Sequence, residues 1–94
     1  MFPMKSFDER FHAILEALDA LAAGDEALEE LNAEFEDALF LIAEIDMKAD
    51  DWREEYRDAL EELDALRADY AKIPAAADLA RQLDGLIRMA GAAL

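Results

Sequence analysis

The chain has 94 residues, no cysteine and a formal net charge of −15, so disulfide bonds and thiol chemistry are excluded. A surface of this charge repels nucleic acid and anionic membranes, and it attracts cations and basic protein surfaces. The longest purely apolar run, Ala38 to Ala43, is far shorter than the ~20 residues that cross a bilayer. The N-terminal residues also lack the apolar core of a secretory signal, so we expect a cytoplasmic protein.

The composition is that of an all-α protein. Val and Thr are absent, Ile occurs only five times, and Ala occupies 21 positions. Strands favour the β-branched residues that are missing here, whereas helices favour the Ala, Leu and Glu that are abundant. A chain of this length forms one small domain, so we predict a single helical domain over residues 1–94.

The first helix is predicted over about residues 6–23. Ser6 and Glu9 match a capping box, in which each side chain accepts the free backbone N–H of the other residue. An apolar stripe with helical spacing follows, at Phe7, Phe11, Ile14, Leu18 and Leu21. Gly24 is predicted to end this helix, and Asp25 is predicted to cap the next.

One long helix is predicted over about residues 25–73. Apolar or small residues recur there at steps of three and four in strict alternation, the spacing of a coiled-coil seam, and no Gly or Pro interrupts them. The seam consists of Leu28, Leu31, Phe35, Ala38, Ile42, Ile45, Ala49, Trp52, Tyr56, Ala59, Leu63, Leu66, Tyr70 and Ile73. Such a helix is roughly 70 Å long at the usual helical rise.

A turn near residues 47–50 is the alternative. Asp51 stands three residues before Glu54 and could cap a new helix, which would turn the chain into a four-helix up-down bundle. The unbroken phase of the seam favours the continuous helix instead. Pro74 closes the segment and begins a last helix over about residues 74–91, so two shorter antiparallel helices flank the long one.

This architecture predicts a homo-oligomer, most simply a twofold dimer. Two short helices leave part of the long helix uncovered, and each large apolar side chain left in water forgoes about 1.5–3 kcal/mol. The predicted interface is Leu39, Phe40, Leu41, Trp52 and Tyr56.

Catalytic groups are scarce, and no residue is predicted to be catalytic. Ser6 is the only serine, and the three glycines are isolated, which excludes acyl transfer and a glycine-rich phosphate loop. Glu9 and His12 form one Glu-x-x-His pair, but di-iron bundles need two such pairs, so we expect a surface histidine.

Two carboxylate pairs stand at three-residue spacing, and both belong to predicted helices. Glu16 and Asp19 lie on the first, and Glu34 and Asp37 lie on the second; facing each other, they could hold Mg²⁺. The spacing, and the apolar run up to Ile42, resemble the acidic motif of the MazG-like all-α nucleoside triphosphate pyrophosphohydrolases. The resemblance implies Mg²⁺-dependent release of pyrophosphate from a nucleotide, with these four carboxylates as metal ligands.

Three functional hypotheses follow. The leading one is a non-enzymatic helical module that assembles with itself, presents acid to a basic protein surface, and needs no cofactor. The second is an inhibitor that imitates nucleic-acid charge, because no Lys or Arg occurs between Arg10 and Lys48. The third is the Mg²⁺-dependent enzyme. None of them binds nucleic acid or a membrane directly.

Overall fold

Four α-helices make up the computed structural model, which describes residues 4–94. They are α1 (Met4–Leu21), α2 (Glu26–Glu44), α3 (Trp52–Ala71) and α4 (Ala77–Ala93), with a 3₁₀ turn at Pro74–Ala76 leading into α4. The described residues contain no strand, so the predicted all-α class is confirmed. Among them, no helix is both long enough and apolar enough to span a bilayer.

The helices form a closed ring in chain order. Each packs against its neighbours in sequence, and α1 packs against α4, whereas the backbones of the diagonal pairs α1/α3 and α2/α4 stay farther apart. Short connections make consecutive helices antiparallel. The groove between α2 and α3 is therefore on the opposite side of the ring from the groove between α1 and α4.

The continuous helix over about residues 25–73 is wrong, because residues 45–51 reverse the chain between α2 and α3. The Asp46 carboxylate accepts the Lys48 N–H at 2.9 Å, and the Asp46 carbonyl accepts the Ala49 N–H at 3.0 Å. Such local bonds compete with helical ones. The reversal matches the four-helix alternative, although the Asp51 side chain makes no capping hydrogen bond. It lets the two halves of the seam cover each other, which an extended helix cannot do.

The other helix ends follow local chemistry. Gly24 has a φ of +83°, in the left-handed region that glycine adopts after a helix. The Asp25 carboxylate accepts the N–H groups of Ala27 and Leu28 at 3.1 and 3.3 Å, so its predicted cap is confirmed. Ser6 lies inside α1 rather than before it, so the predicted capping box is wrong. The helix extends to Met4, one turn earlier than its apolar stripe requires.

The core draws on all four helices. Each contributes one apolar stripe, and the largest fully buried side chains are Phe11, Leu18, Leu28, Phe35, Leu39, Ile42, Tyr56, Leu63, Tyr70 and Leu83. Phe35 and Tyr70 bring α2 and α3 together, with their ring centroids 6.3 Å apart. Aromatic pairs at this distance add stability beyond their burial.

One buried polar chain links three helices. The Tyr70 hydroxyl on α3 donates to Asn32 Oδ1 on α2 at 2.7 Å, and Asn32 Nδ2 donates to Asp19 Oδ1 on α1 at 3.0 Å. Asn32 is buried, so both ends of its amide are satisfied inside the protein. Burial raises the pKa of Tyr70, and the nearby charges of Asp19 and Glu34 raise it further.

We expect Tyr70→Phe to lower the free energy of unfolding by about 1–3 kcal/mol, because it leaves the buried Asn32 carbonyl without a donor. Urea denaturation followed by circular dichroism measures the loss. The double variant Asn32→Leu/Tyr70→Phe is the control, since it removes both buried partners. A double variant that loses more than the single variant would contradict this account.

The two buried tyrosines predict a loss of stability at high pH. Burial, and then the Asp8 charge, raise the pKa of Tyr56 to about 12 from an ordinary value of 10.0. The unfolded state therefore ionises first: the stabilisation is complete below pH 10 and is lost as the pH rises toward 12. Urea denaturation at several pH values in this range measures the free energy of unfolding. Tyr56→Phe should make this free energy less dependent on pH. Tyrosinate absorbance that rises at the ordinary pKa in folded protein would refute it.

Candidate interaction surfaces

The five predicted interface residues separate into core and surface. Leu39 and Tyr56 are buried inside the bundle, where they contact other helices of the same chain. Phe40 and Leu41 are 60% and 50% exposed. Trp52 is partly buried, and the Arg53 guanidinium lies 4.6 Å from the centre of its ring. The homodimer stays a prediction, with Phe40, Leu41 and part of Trp52 as its accessible residues.

The four candidate magnesium ligands do not form a metal site. Within residues 4–94, no three His, Cys, Asp or Glu side chains converge on a point where a metal ion could bind. Asp19 accepts the Asn32 amide, while Glu34 and Asp37 line a groove between α2 and α3. Glu16 is exposed on α1. His12 is also exposed, as predicted.

The groove between α2 and α3 is lined by acidic residues, and we call it the acidic groove. It consists of two adjoining cavities of about 350 and 440 Å³, which share Leu41 and Glu62. Its seven carboxylates are those of Glu34, Asp37, Glu44, Glu55, Asp58, Glu62 and Asp69. Its apolar residues are Ala38, Leu41, Ile45, Ala59, Ala65 and Leu66. Its lining includes no Lys or Arg.

Charge is sorted between the two edges of α3. The α2 sequence has no Lys or Arg, and the three arginines of α3 lie toward α4. Arg67 Nε is 3.6 Å from the Asp84 carboxylate of α4, and Arg53 Nε donates to the carbonyl of Leu94 at 3.3 Å. Arg57 lines the groove between α3 and α4. The arginine side chains of α3 therefore lie on the side of the helix that faces α4, away from the acidic groove.

The carboxylates of the acidic groove are largely uncompensated. Within residues 4–94, Asp69 alone among the seven forms an ion pair, with Lys72 at the limiting distance of 4.0 Å. Both of those side chains are mostly exposed, where an ion pair contributes little. The groove therefore presents a concentrated negative charge to any binding partner.

The groove between α1 and α4 has no acidic side chain in its lining, and we call it the neutral groove; its one charged side chain is that of Arg10. Its volume is about 430 Å³, and its lining is Arg10, Ala13, Ile14, Ala17, Leu79, Gln82, Gly85, Leu86 and Met89, with no carboxylate. Met89 is 52% exposed. It stands one helical turn from Gly85, so a protruding side chain lies beside a hollow formed by small residues.

Gly85 has no evident role within the chain. A Cβ atom added there would meet nothing within 4 Å, and its φ is not in the left-handed region. Glycine inside a helix costs about 0.5–1 kcal/mol relative to alanine. The missing side chain therefore weakens α4 without relieving any contact in the monomer.

Sequence reasoning assigned the α3 carboxylates no function. The available signal was their spacing: Glu55, Asp58, Glu62 and Asp69 recur at steps of three, four and seven, which places them on one edge of the helix. That edge becomes part of a groove only because α3 folds back on α2.

Comparison of the chain with protein-family models, with curated proteins and with solved structures finds no significant match. The resemblance to the MazG-like enzymes therefore depends on the spacing of the two carboxylate pairs and on the apolar run that follows the second pair.

Gly85→Ala should raise the free energy of unfolding by about 0.5–1 kcal/mol, because it removes the entropic cost of glycine and meets no obstacle. Gly24→Ala is the matched control and should be destabilising, because its φ of +83° is strained for alanine. Urea denaturation at low protein concentration measures both. A destabilised Gly85→Ala variant would contradict this account, because it would mean that other atoms of the protein occupy the space beside Gly85 in solution.

Proposed function

We propose that this chain is a non-enzymatic interaction module, which pairs with a second copy through its neutral groove and offers its acidic groove to a basic protein. One observation carries the proposal, the contrast between the two grooves. The neutral groove has no carboxylate in its lining, and the acidic groove has seven with no basic residue.

Charge favours the neutral groove for self-association. Two copies that each carry a net charge of −15 repel one another, so they approach at least cost where no carboxylate faces the contact. A twofold interface must also be self-complementary, and the exposed Met89 beside the hollow at Gly85 supplies both a projection and a recess.

Phe40 is the less favourable centre for a dimer, although it is the more exposed side chain. Glu36, Asp37 and Glu44 stand three or four residues from it, and these are the positions that surround a residue on a helix surface. A twofold contact there brings the carboxylates of both copies together, which opposes association.

The dimer leaves the binding function intact. Because the two grooves are on opposite sides of the ring, pairing through the neutral groove exposes one acidic groove on each copy. A basic partner is attracted by these uncompensated carboxylates, and two grooves in one assembly add avidity for a partner with two binding segments.

We expect Met89→Glu to dissociate the dimer, because it introduces a carboxylate into the lining of the neutral groove. Phe40→Glu is the matched control, since it makes the same change of charge at an exposed apolar residue elsewhere. Sedimentation equilibrium over a range of protein concentrations measures both. A wild-type protein that stays monomeric throughout, or a dimer dissociated only by Phe40→Glu, would contradict the proposal.

A further inference from the structure

We infer that the occupant of the acidic groove is a basic amphipathic helix of a partner protein, with its apolar face on the groove and Lys or Arg side chains on both flanks. This inference rests on the proposed function, because it names the kind of partner that the groove accepts. It is supported by the position of the carboxylates, the apolar residues between them and the length of the groove.

The carboxylates form two rows that face each other. Those of α2 are Glu34, Asp37 and Glu44, and those of α3 are Glu55, Asp58, Glu62 and Asp69. Helical steps of three, four and seven keep each row on one edge of its helix. A ligand in the groove therefore meets negative charge on both sides at once.

The middle of each row is apolar. Leu41 stands between Asp37 and Glu44 on α2, and Ala65 stands between Glu62 and Asp69 on α3. Leu41 is half exposed, while Ala38 and Ala59 are buried. These small residues form the floor between the two rows and leave space above it. Leu41 interrupts the α2 row and supplies an apolar side chain that a ligand in this space can contact. This arrangement distinguishes the groove from a solvated patch of acid.

The groove is long enough for a helix. It runs along α2 from Glu34 to Glu44, which is roughly 15 Å at the helical rise. About three turns of a bound helix cover this distance, with apolar side chains at helical spacing.

A helix also fits the symmetry of the charges better than an extended peptide does. An amphipathic helix carries charged residues on both sides of one apolar stripe, which matches two acidic rows with an apolar centre. Successive side chains of an extended strand point to opposite faces, so half of them would face away from the groove.

A synthetic peptide of about 15 residues tests the inference. Leucines at helical spacing form one face of it, and lysines flank that face on both sides. Its control has the same composition in an order that gives no amphipathic helix. Fluorescence anisotropy of the labelled peptides at low salt measures binding to the full chain, because screening weakens such contacts at high salt. The amphipathic peptide should bind about tenfold more tightly, by burying its apolar face.

Two neighbouring residues give a matched pair of variants. Leu41→Gln removes the apolar contact inside the groove and should weaken binding about tenfold. Phe40→Gln makes the same kind of change at a more exposed side chain, which is absent from the lining of the groove, and should leave binding unchanged. Circular dichroism checks that both variants remain folded.

Two triple variants separate location from total charge. Glu34→Gln/Glu44→Gln/Glu62→Gln neutralises both rows of the groove. Glu9→Gln/Glu16→Gln/Glu36→Gln removes the same charge from exposed positions outside it. We expect the first variant to lose most of the affinity for the amphipathic peptide and the second to retain it.

Three results overturn the inference, and they separate it from the proposed function. Equal binding of the two peptides, equal losses in the two triple variants, or no effect of Leu41→Gln would mean that the chain attracts basic partners by total charge. Binding of that kind is expected of a mimic of nucleic acid. The inference about the helix would then fail, while the proposal that the chain binds a basic protein through its acidic surface would stand. If neither peptide binds at low salt, the acidic part of the proposed function fails as well.

Discussion

The reversal of the chain at residues 45–51 is the constraint on which the rest of the structure depends. Each helix has one apolar stripe, and a stripe is stable only when another helix covers it. An extended helix would have left the seam of α2 and the seam of α3 facing the same way, half of each in water. The Asp46 side chain stabilises the turn locally, and burial along the two helices supplies the main driving force. The same reversal brings Tyr70 to Asn32, which joins three helices through buried hydrogen bonds.

The charge pattern of the surface follows from the order of the helices around the ring. Because α3 returns beside α2, two helix edges rich in Asp and Glu become the walls of one groove. The opposite edge of α3 faces α4, where Arg67 approaches Asp84. On either helix alone the carboxylates would form one row with water on both sides. The acidic groove therefore exists only where α2 and α3 lie side by side.

The ring closes when α4 packs against α1, and this contact creates the second groove. Arg10 and Met89 both line this groove, although almost the whole chain separates them in sequence. Gly85 lines this groove, and no contact within the described chain needs its missing side chain. The two grooves of different charge lie on opposite sides of a small bundle, and this contrast is the basis of our proposal that one side pairs with a copy and the other binds a partner.

The sequence by itself determined the helical class, the helix ends at Gly24 and Asp25, and most of the core. Apolar spacing identifies buried residues such as Phe35 and Tyr70 regardless of how the helices are arranged, because a stripe must be covered in any fold. The spacing did not predict the turn, and the reason is the length of the connection. Residues 45–51 are seven in number, one full repeat of the seam, so the pattern keeps its phase across a reversal of the chain. Only the tertiary structure decided which edges meet, because grooves join residues from different helices, and spacing along one helix carries no record of its neighbour.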